Sequence, residues 1–484
     1  MHISHLTALG FLAQGSLTSA TLSKKKVDVA IVGGGLSGLS AAKDLVAAGR
    51  SVLVLEARDR VGGRVLNVEL PTGGATEVGA QFVGPTQDRV LALADYLGLE
   101  TFLTYYEGSN ILYLNGTAMP YVVEGPFGAV PPIDEASLQE VGETQFQLDA
   151  WAAEIDVQAP WNHPSAQEWD SMTFSSFLDN TLTTTSARFF FDVATTSLFS
   201  AEPSELSLLY AIAYIASAGN ETLAGTLERL TETTDGGQES RIVGGTQLLA
   251  IKLVEKLGRE RVRLNAPVRS VKKSGSWYTV TADTIEVTAK EVVIAMSPPL
   301  AARITYSPLL PAKRDQLTQR MPMGSIGKII ALYKTPFWRA DNLTGQAVSD
   351  SGIVRSTFDS SPPDASIGAM MGFIEADEMR AFDDKPQSEL EAGVLEDYVK
   401  YFGEKARQVT GWVVQRWDNE EWSRGGPVAF APPGVLTKYG PALKASFGGV
   451  HFAGTESSDY WVGYMDGAIR SGERVAREIL GQVE

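Results

Sequence analysis

The chain has 484 residues, 44% hydrophobic and 20% charged, which fits a globular protein of two or three domains with a large core. A formal net charge of −17 argues against nucleic acid as a partner and suits cationic small molecules. The absence of cysteine excludes disulfides, thiolate nucleophiles and thiolate-held metals. The four histidines (His2, His5, His163, His451) form no spaced metal pair, so neither a metal site nor a histidine-based triad is expected.

Residues 1–25 read as a disordered or targeting segment. Residues 6–12 are apolar and Leu-Thr-Ser-Ala at 17–20 has a cleavage-like look, but no lysine or arginine precedes them. Three Asn-x-Ser/Thr sequons, at Asn115, Asn220 and Asn342, permit secretion, so the compartment stays open between cytoplasm and exterior. No apolar run reaches the roughly 18 residues of a membrane span, and no membrane anchor is expected.

Residues 27–32 have the apolar, β-branched composition of a buried parallel strand. They run into Gly33, Gly35 and Gly38, which satisfy G-x-G-x-x-G, and residues 36–48 then carry helical spacing up to Gly49. A second apolar run, 52–55, ends in Glu56. Gly33 permits the tight turn, Gly35 lets backbone approach a pyrophosphate, and Gly38 lets helix and strand pack closely. Free N–H groups at the helix start bind phosphate, and a carboxylate at Glu56 accepts from a ribose diol. Strand, turn, helix, strand and acid together predict dinucleotide binding.

The next residues, Glu56-Ala57-Arg58-Asp-Arg-Val-Gly-Gly63-Arg64, resemble the E-A-R-x-R-x-G-G-R segment of the flavin monoamine oxidase family. In that family this segment continues the FAD site past the ribose. Residues 74–87, containing Gly79, Ala80 and Gln81, are similar to the family's segment beneath the isoalloxazine, and a helix is predicted over 88–97. Residues 101–240 read as helical, with helix-like spacing at 135–155 and 174–216. The run from Asp235 to Gly245 is close to the family's N-G-G-Q-x-x-x-x-x-G-G stretch. Its glutamine, Gln238, matches a residue of the substrate cavity, although alone it reads equally as a loop cap.

Strands are predicted at 261–264, 268–271, 277–282 and 291–295. Val268 matches a residue whose backbone meets the adenine end in the family; as a bare valine it reads equally as core. Lys328 shares a strand face with Ile326, Ile330 and Leu332, which is costly for an ammonium without a partner. Its segment is similar to the family's G-S-x-x-K strand, whose lysine holds a water against flavin N5. A helix is predicted over 388–401.

Residues 432–440 resemble the family's P-P-G-x-L-T-x-Y-G. Counting back, Gly426 stands where some members attach FAD through cysteine, so covalent attachment there is impossible. Pro427 stands where one wall of an aromatic cage is usual. Strand alternation would turn Phe430, three residues on, to the opposite face. In the last segment Gly454, Thr455 and Glu456 match the strand end and acid near the ribityl and pyrophosphate. A helix is predicted to begin near Gly463 and Met465, its positive end toward the flavin pyrimidine ring. Tyr464 matches the remaining cage wall, Trp461 lies on the same turn, and His451 reads as a packed core residue.

The resemblance spans residues 26–482 and implies an α/β fold. A Rossmann-type FAD-binding domain (26–100, 241–319 and 417–484) would be interleaved with a mixed-sheet and helical substrate domain (101–240 and 320–416). The implied activity is FAD-dependent oxidation of a small-molecule amine to an imine, hydrolysed to aldehyde or ketone plus ammonia, with O2 reduced to hydrogen peroxide. Lys328 and Tyr464 are the implied catalytic residues, FAD is held without a covalent bond, and a homodimer is compatible. Two alternatives stand. One is an L-amino-acid oxidase, which needs an arginine clamp for carboxylate, with Arg241 and Arg424 as candidates. The other is a flavin-binding protein without turnover.

Overall fold

In the computed structural model, which describes residues 22–70, 74–123 and 129–482, the first apolar run forms the strand Ser23–Val32. It begins before the expected boundary at residue 26, but only its second half is buried. The N-terminal targeting segment, with its apolar stretch and its cleavage-like run, lies outside the described residues. Among the described residues no helix is long and apolar enough to cross a membrane.

Ser23–Val32 is flanked in parallel by Val52–Leu55 and Ile285–Ala295, with Val32 opposite both Leu55 and Ile294. Ile285–Ala295 is long enough to take different partners along its length. Its first part pairs antiparallel with Trp277–Ala282, and its last part pairs parallel with Val450–Ala453. Val262–Arg263, Val268–Ser274 and Thr305–Ser307 complete an eight-stranded sheet. Helices Leu36–Ala47, Gln247–Leu257 and Met465–Leu480 share one core with it. At the closest helix contact a Cβ on Gly472 would lie 2.2 Å from the Ser37 carbonyl oxygen, so only glycine fits.

The second sheet has seven strands, in the order Gly411–Arg416, Ile326–Tyr333, Gly368–Glu375, Ser356–Asp359, Leu343–Ser349, Ser109–Leu114 and Thr117–Val122. Helix Gln387–Phe402 covers one face through Leu390, Val394 and Tyr398. Beside the sheet, Glu135–Glu154, Phe174–Thr181, Thr185–Phe199 and Leu208–Ser217 pack into the helical part of the molecule. A three-stranded sheet of Phe82–Val83, Ser240–Ile242 and Thr101–Leu103 ties segments from distant parts of the chain together.

Residues 101–240 are thus not helical throughout: three strands precede the helices. The reason is local. Asn115 and Gly116 both adopt positive φ, 51° and 79°, as the two-residue hairpin turn between Ser109–Leu114 and Thr117–Val122 requires.

Candidate active site

Four parallel strands end at one edge of the eight-stranded sheet, where ligands of such sheets bind. Their terminal or following residues (Val32 and Gly33, Leu55 and Glu56, Ala295 and Met296, Gly454 and Thr455) all line a single cavity of about 690 Å3. The glycines divide by cause. A Cβ on Gly33 would sit 2.4 Å from the Ala295 carbonyl oxygen, and one on Gly38 only 2.1 Å from the Gly33 oxygen. These two are glycine because the fold closes on them. A Cβ on Gly35 would meet nothing nearer than 3.9 Å, so the protein itself leaves room for a side chain there, on the cavity side.

The donors and acceptors around Gly35 suit an adenosine diphosphate. Leu39 N–H closes the first helical turn on the Gly35 oxygen. The N–H groups of Leu36, Ser37 and Gly38 have no backbone acceptor among the described residues, and Leu36 and Ser37 line the cavity. Glu56 is buried and oriented by two backbone donors, Gly34 N–H at 2.7 Å and Arg58 N–H at 2.9 Å. Each carboxylate oxygen keeps a lone pair for a ribose hydroxyl. Ala57, Arg58, Gly63, Arg64, Gly79, Ala80, Gln81 and Val268 also line the cavity, Val268 beside a register shift in its strand.

Glu456 differs from its expected place. It does not line the cavity: its carboxylate accepts from Arg64 at 2.8 and 3.3 Å and from Ala429 N–H at 3.3 Å. Arg64 also donates to the Pro427 carbonyl at 2.6 Å. Glu456 therefore positions Arg64 and the Pro427 segment, and reaches a ligand only through them. Trp461 likewise stands behind the cavity wall. It is fully buried, donates from Nε1 to the Thr86 oxygen at 3.1 Å, and packs edge-on against Tyr464 with ring centroids 4.8 Å apart. It supports Tyr464, which does line the cavity together with Gly463 and Met465. The helix Met465–Leu480 starts there, and the N–H groups of Met465, Asp466 and Gly467 have no backbone acceptor among the described residues. His451 is buried, its ring nitrogens facing Glu478 and Glu291 at 3.3 and 3.2 Å.

The other half of the cavity is floored by one face of the seven-stranded sheet. Lys328 lies opposite Phe373, Phe373 opposite Ser356, and Ser356 belongs to the pair that includes Val348. Because paired residues point to one face, and residues two apart along a strand share it, Ile326, Phe358, Gln346 and Asn110 join this floor. Tyr121, paired with Asn110, closes it at the far edge.

Lys328 is 3% exposed and all three of its donors are taken. They go to the Glu77 oxygen at 3.2 Å, the Gly79 oxygen at 2.8 Å and Gln81 Oε1 at 2.7 Å. Burial pulls its pKa down to about 7, with Glu77 opposing and Arg241 adding to the shift. Tyr464 and Tyr214, rings 6.2 Å apart, form an aromatic wall; burial raises both phenols, so both stay neutral donors. Pro427 lines the same cavity, at the position where a second aromatic wall is usual, and Phe430 is buried in the helical core and not on the wall. Gln238 Nε2 donates to the Leu230 oxygen at 2.8 Å, which fixes its amide and leaves the buried Oε1 without a partner at the cavity.

Neither candidate carboxylate clamp lines the cavity. Arg241 is buried in an ion pair with Glu77 at 2.5 Å and donates to the Ser361 oxygen at 2.9 Å. Arg424 sits in the turn after Glu420. The arginines that do line the cavity, Arg58, Arg64, Arg269 and Arg303, belong to its glycine-rich end. Sequence reasoning missed Tyr214, carried in by the helix Leu208–Ser217, and Phe358, Phe373, Ser356 and Gln346, which only strand register brings together.

Comparison with known proteins agrees with this geometry. Residues 36–480 match the family described as flavin containing amine oxidoreductase. The AofH protein of Mycobacterium tuberculosis is 39% identical over 453 residues, 94% of this chain and 96% of that protein. The flavin-containing amine oxidase A of Equus caballus is 37% identical over 470 residues, covering 96% and 87%. Among solved structures, a wild-type putrescine oxidase bound to putrescine superposes with a TM-score of 0.89 at 34% identity, covering 95% of this chain and 100% of that one. The chain belongs to the flavin containing amine oxidoreductase family and is an FAD-dependent amine oxidase.

Proposed function

We propose that the protein oxidises primary amines, bulky and long-chain ones included, with FAD held noncovalently. The observation that carries this reading is the substrate half of the cavity, which offers aromatic and apolar walls and no guanidinium for a carboxylate. An amino acid would bury its carboxylate there unpaired. FAD would be held at the glycine-rich end by Glu56 and the helix start at Leu36 and Ser37, and there would supply the hydride acceptor for the amine carbon and the route for electrons to O2.

The chain's own residues do the rest. Gln238 Oε1, buried and unpartnered, accepts an N–H of the entering amine. Tyr464 and Tyr214 present aromatic faces that hold the amine and exclude water. Lys328, anchored on Glu77, Gly79 and Gln81, sets a positive charge under the reacting region while it is protonated. Pro427 leaves one side of the cavity wider than an aromatic residue would. At Gly426 a side chain would have room, since a Cβ there meets only Ile326 Cγ2 at 3.4 Å, but glycine supplies no nucleophile for a flavin bond.

Hydrogen peroxide release tested across a panel of small, branched and long-chain amines and L-amino acids distinguishes the readings. Peroxide with amines alone supports this one. Peroxide only with amino acids, or with no substrate from a yellow protein, overturns it. Acid precipitation should leave all flavin in the supernatant; flavin in the pellet contradicts noncovalent binding.

A further inference from the structure

The cavity carries a charge that amine oxidation as such does not use. Glu232 lines it, at the end of the helix Leu227–Thr231. Its neighbours there are Tyr106, Tyr121 and Asn110, with Glu228 one turn earlier. Among the described residues Glu232 is in no ion pair, and the positions outside them hold no lysine or arginine. Burial, with Glu228 adding, raises its carboxyl above the ordinary range. A half-buried carboxylate facing a substrate cavity without a cation is an unfilled electrostatic position.

The sheet sets the scale of its separation from the strand of Lys328. Thr233, the next residue, accepts from Gln346 Nε2 at 2.7 Å, which ties this segment to the strand Leu343–Ser349. Asn110 and Tyr121 lie one and two strands further on. From the strand of Lys328 to those of Gln346 and Asn110 is three and four strand-to-strand steps, about 14–19 Å.

We propose that Glu232 is a distal cation subsite and that the preferred substrates are long α,ω-diamines or polyamines, one amine beside Lys328 and Tyr464 and the other, as ammonium, on Glu232. This rests on the amine-oxidation reading. The reacting CH–NH2 gives up two electrons and two hydrogens, which convert O2 to hydrogen peroxide. Water then takes the imine to aldehyde and ammonia. The distal ammonium keeps its proton and all its bonds throughout.

The test uses flavin-loaded protein and matched pairs: diaminobutane with butylamine, diaminooctane with octylamine, diaminododecane with dodecylamine. In the wild type the kcat/KM ratio of diamine to alkylamine should rise with chain length, because diaminobutane is too short to span the floor. The long-chain ratio should reach about 10- to 100-fold, the range of one charge-assisted hydrogen bond. Glu232→Gln should bring it close to one. Glu232→Lys should reverse the order, so that aminooctanoate outperforms diaminooctane, an outcome that a merely structural glutamate would not give. A wild-type ratio near one at every length overturns the proposal even if no variant folds. So does a ratio that both variants leave unchanged. Absence of turnover with every amine would instead remove the amine-oxidation reading itself.

Discussion

The two ends of the cavity are built in different ways. The glycine-rich end is made by backbone: strand ends, glycines that admit no Cβ, orphan N–H groups at a helix start, and one acid held by the N–H groups of Gly34 and Arg58. The sheet-floored end is made by side chains, about one from each of several strands, aligned only by long-range register. The first is a rigid cradle for a constant group. The second can change its selectivity one residue at a time without disturbing the first. That difference is what the family's range of amines needs.

The sharpest break of this comparison comes at the joint between the ends, where Arg241 and Glu77 pair beneath Lys328. Arg241→Met leaves Glu77 buried without its cation and should cost about 3–5 kcal/mol of stability, read by denaturant unfolding. Unchanged stability together with altered amino-acid turnover would return Arg241 to the role of a clamp. Next in size, Lys328→Met should retain flavin while slowing its reoxidation by O2 on the order of a hundredfold in stopped flow, as loss of one preorganised electrostatic contact does. The lysine's pKa is lowered, so its charge is present below about pH 7 and lost above. Wild-type reoxidation should slow as pH rises through about 7, and the variant should show no such step.

The cradle itself can be split. Gly38→Ala presses a Cβ against the Gly33 oxygen and should destabilise the flavin-free protein by about 1–3 kcal/mol. Gly35→Ala should leave the flavin-free Tm unchanged and weaken flavin binding. Equal Tm losses would refute the division of the glycines by cause. At the other end, Pro427→Tyr should lower kcat/KM for long or branched amines by about 1–3 kcal/mol while sparing small arylalkyl amines. Equal losses would mean that the proline supports Arg64 and the flavin segment through its carbonyl and does not shape the cavity.

Legibility followed the same line. Gly33, Gly35, Gly38 and Glu56 are close in sequence and their spacing states their task. Lys328 announced itself as a charge on an apolar strand. Trp461 and Glu456 lay on the right segments, yet both point away from the cavity, because a turn with Trp461 at φ 50° and an Arg64 ion pair decide direction. Neither cause is written in local spacing. The strands Ser109–Leu114 and Thr117–Val122 were legible in Asn115-Gly116, a hairpin signal obscured by the helical run that follows. The cavity floor was not legible, since Lys328, Phe373, Ser356 and Val348 meet only once four strands are in register.

The most direct test is an anaerobic titration of the flavin-loaded protein with amine, followed by visible absorbance. Stoichiometric bleaching of the flavin by a long-chain primary amine, with none by L-amino acids, is the predicted result. Bleaching by L-amino acids alone, or by no amine at all, would contradict an amine-oxidising cavity floored by the Lys328 sheet.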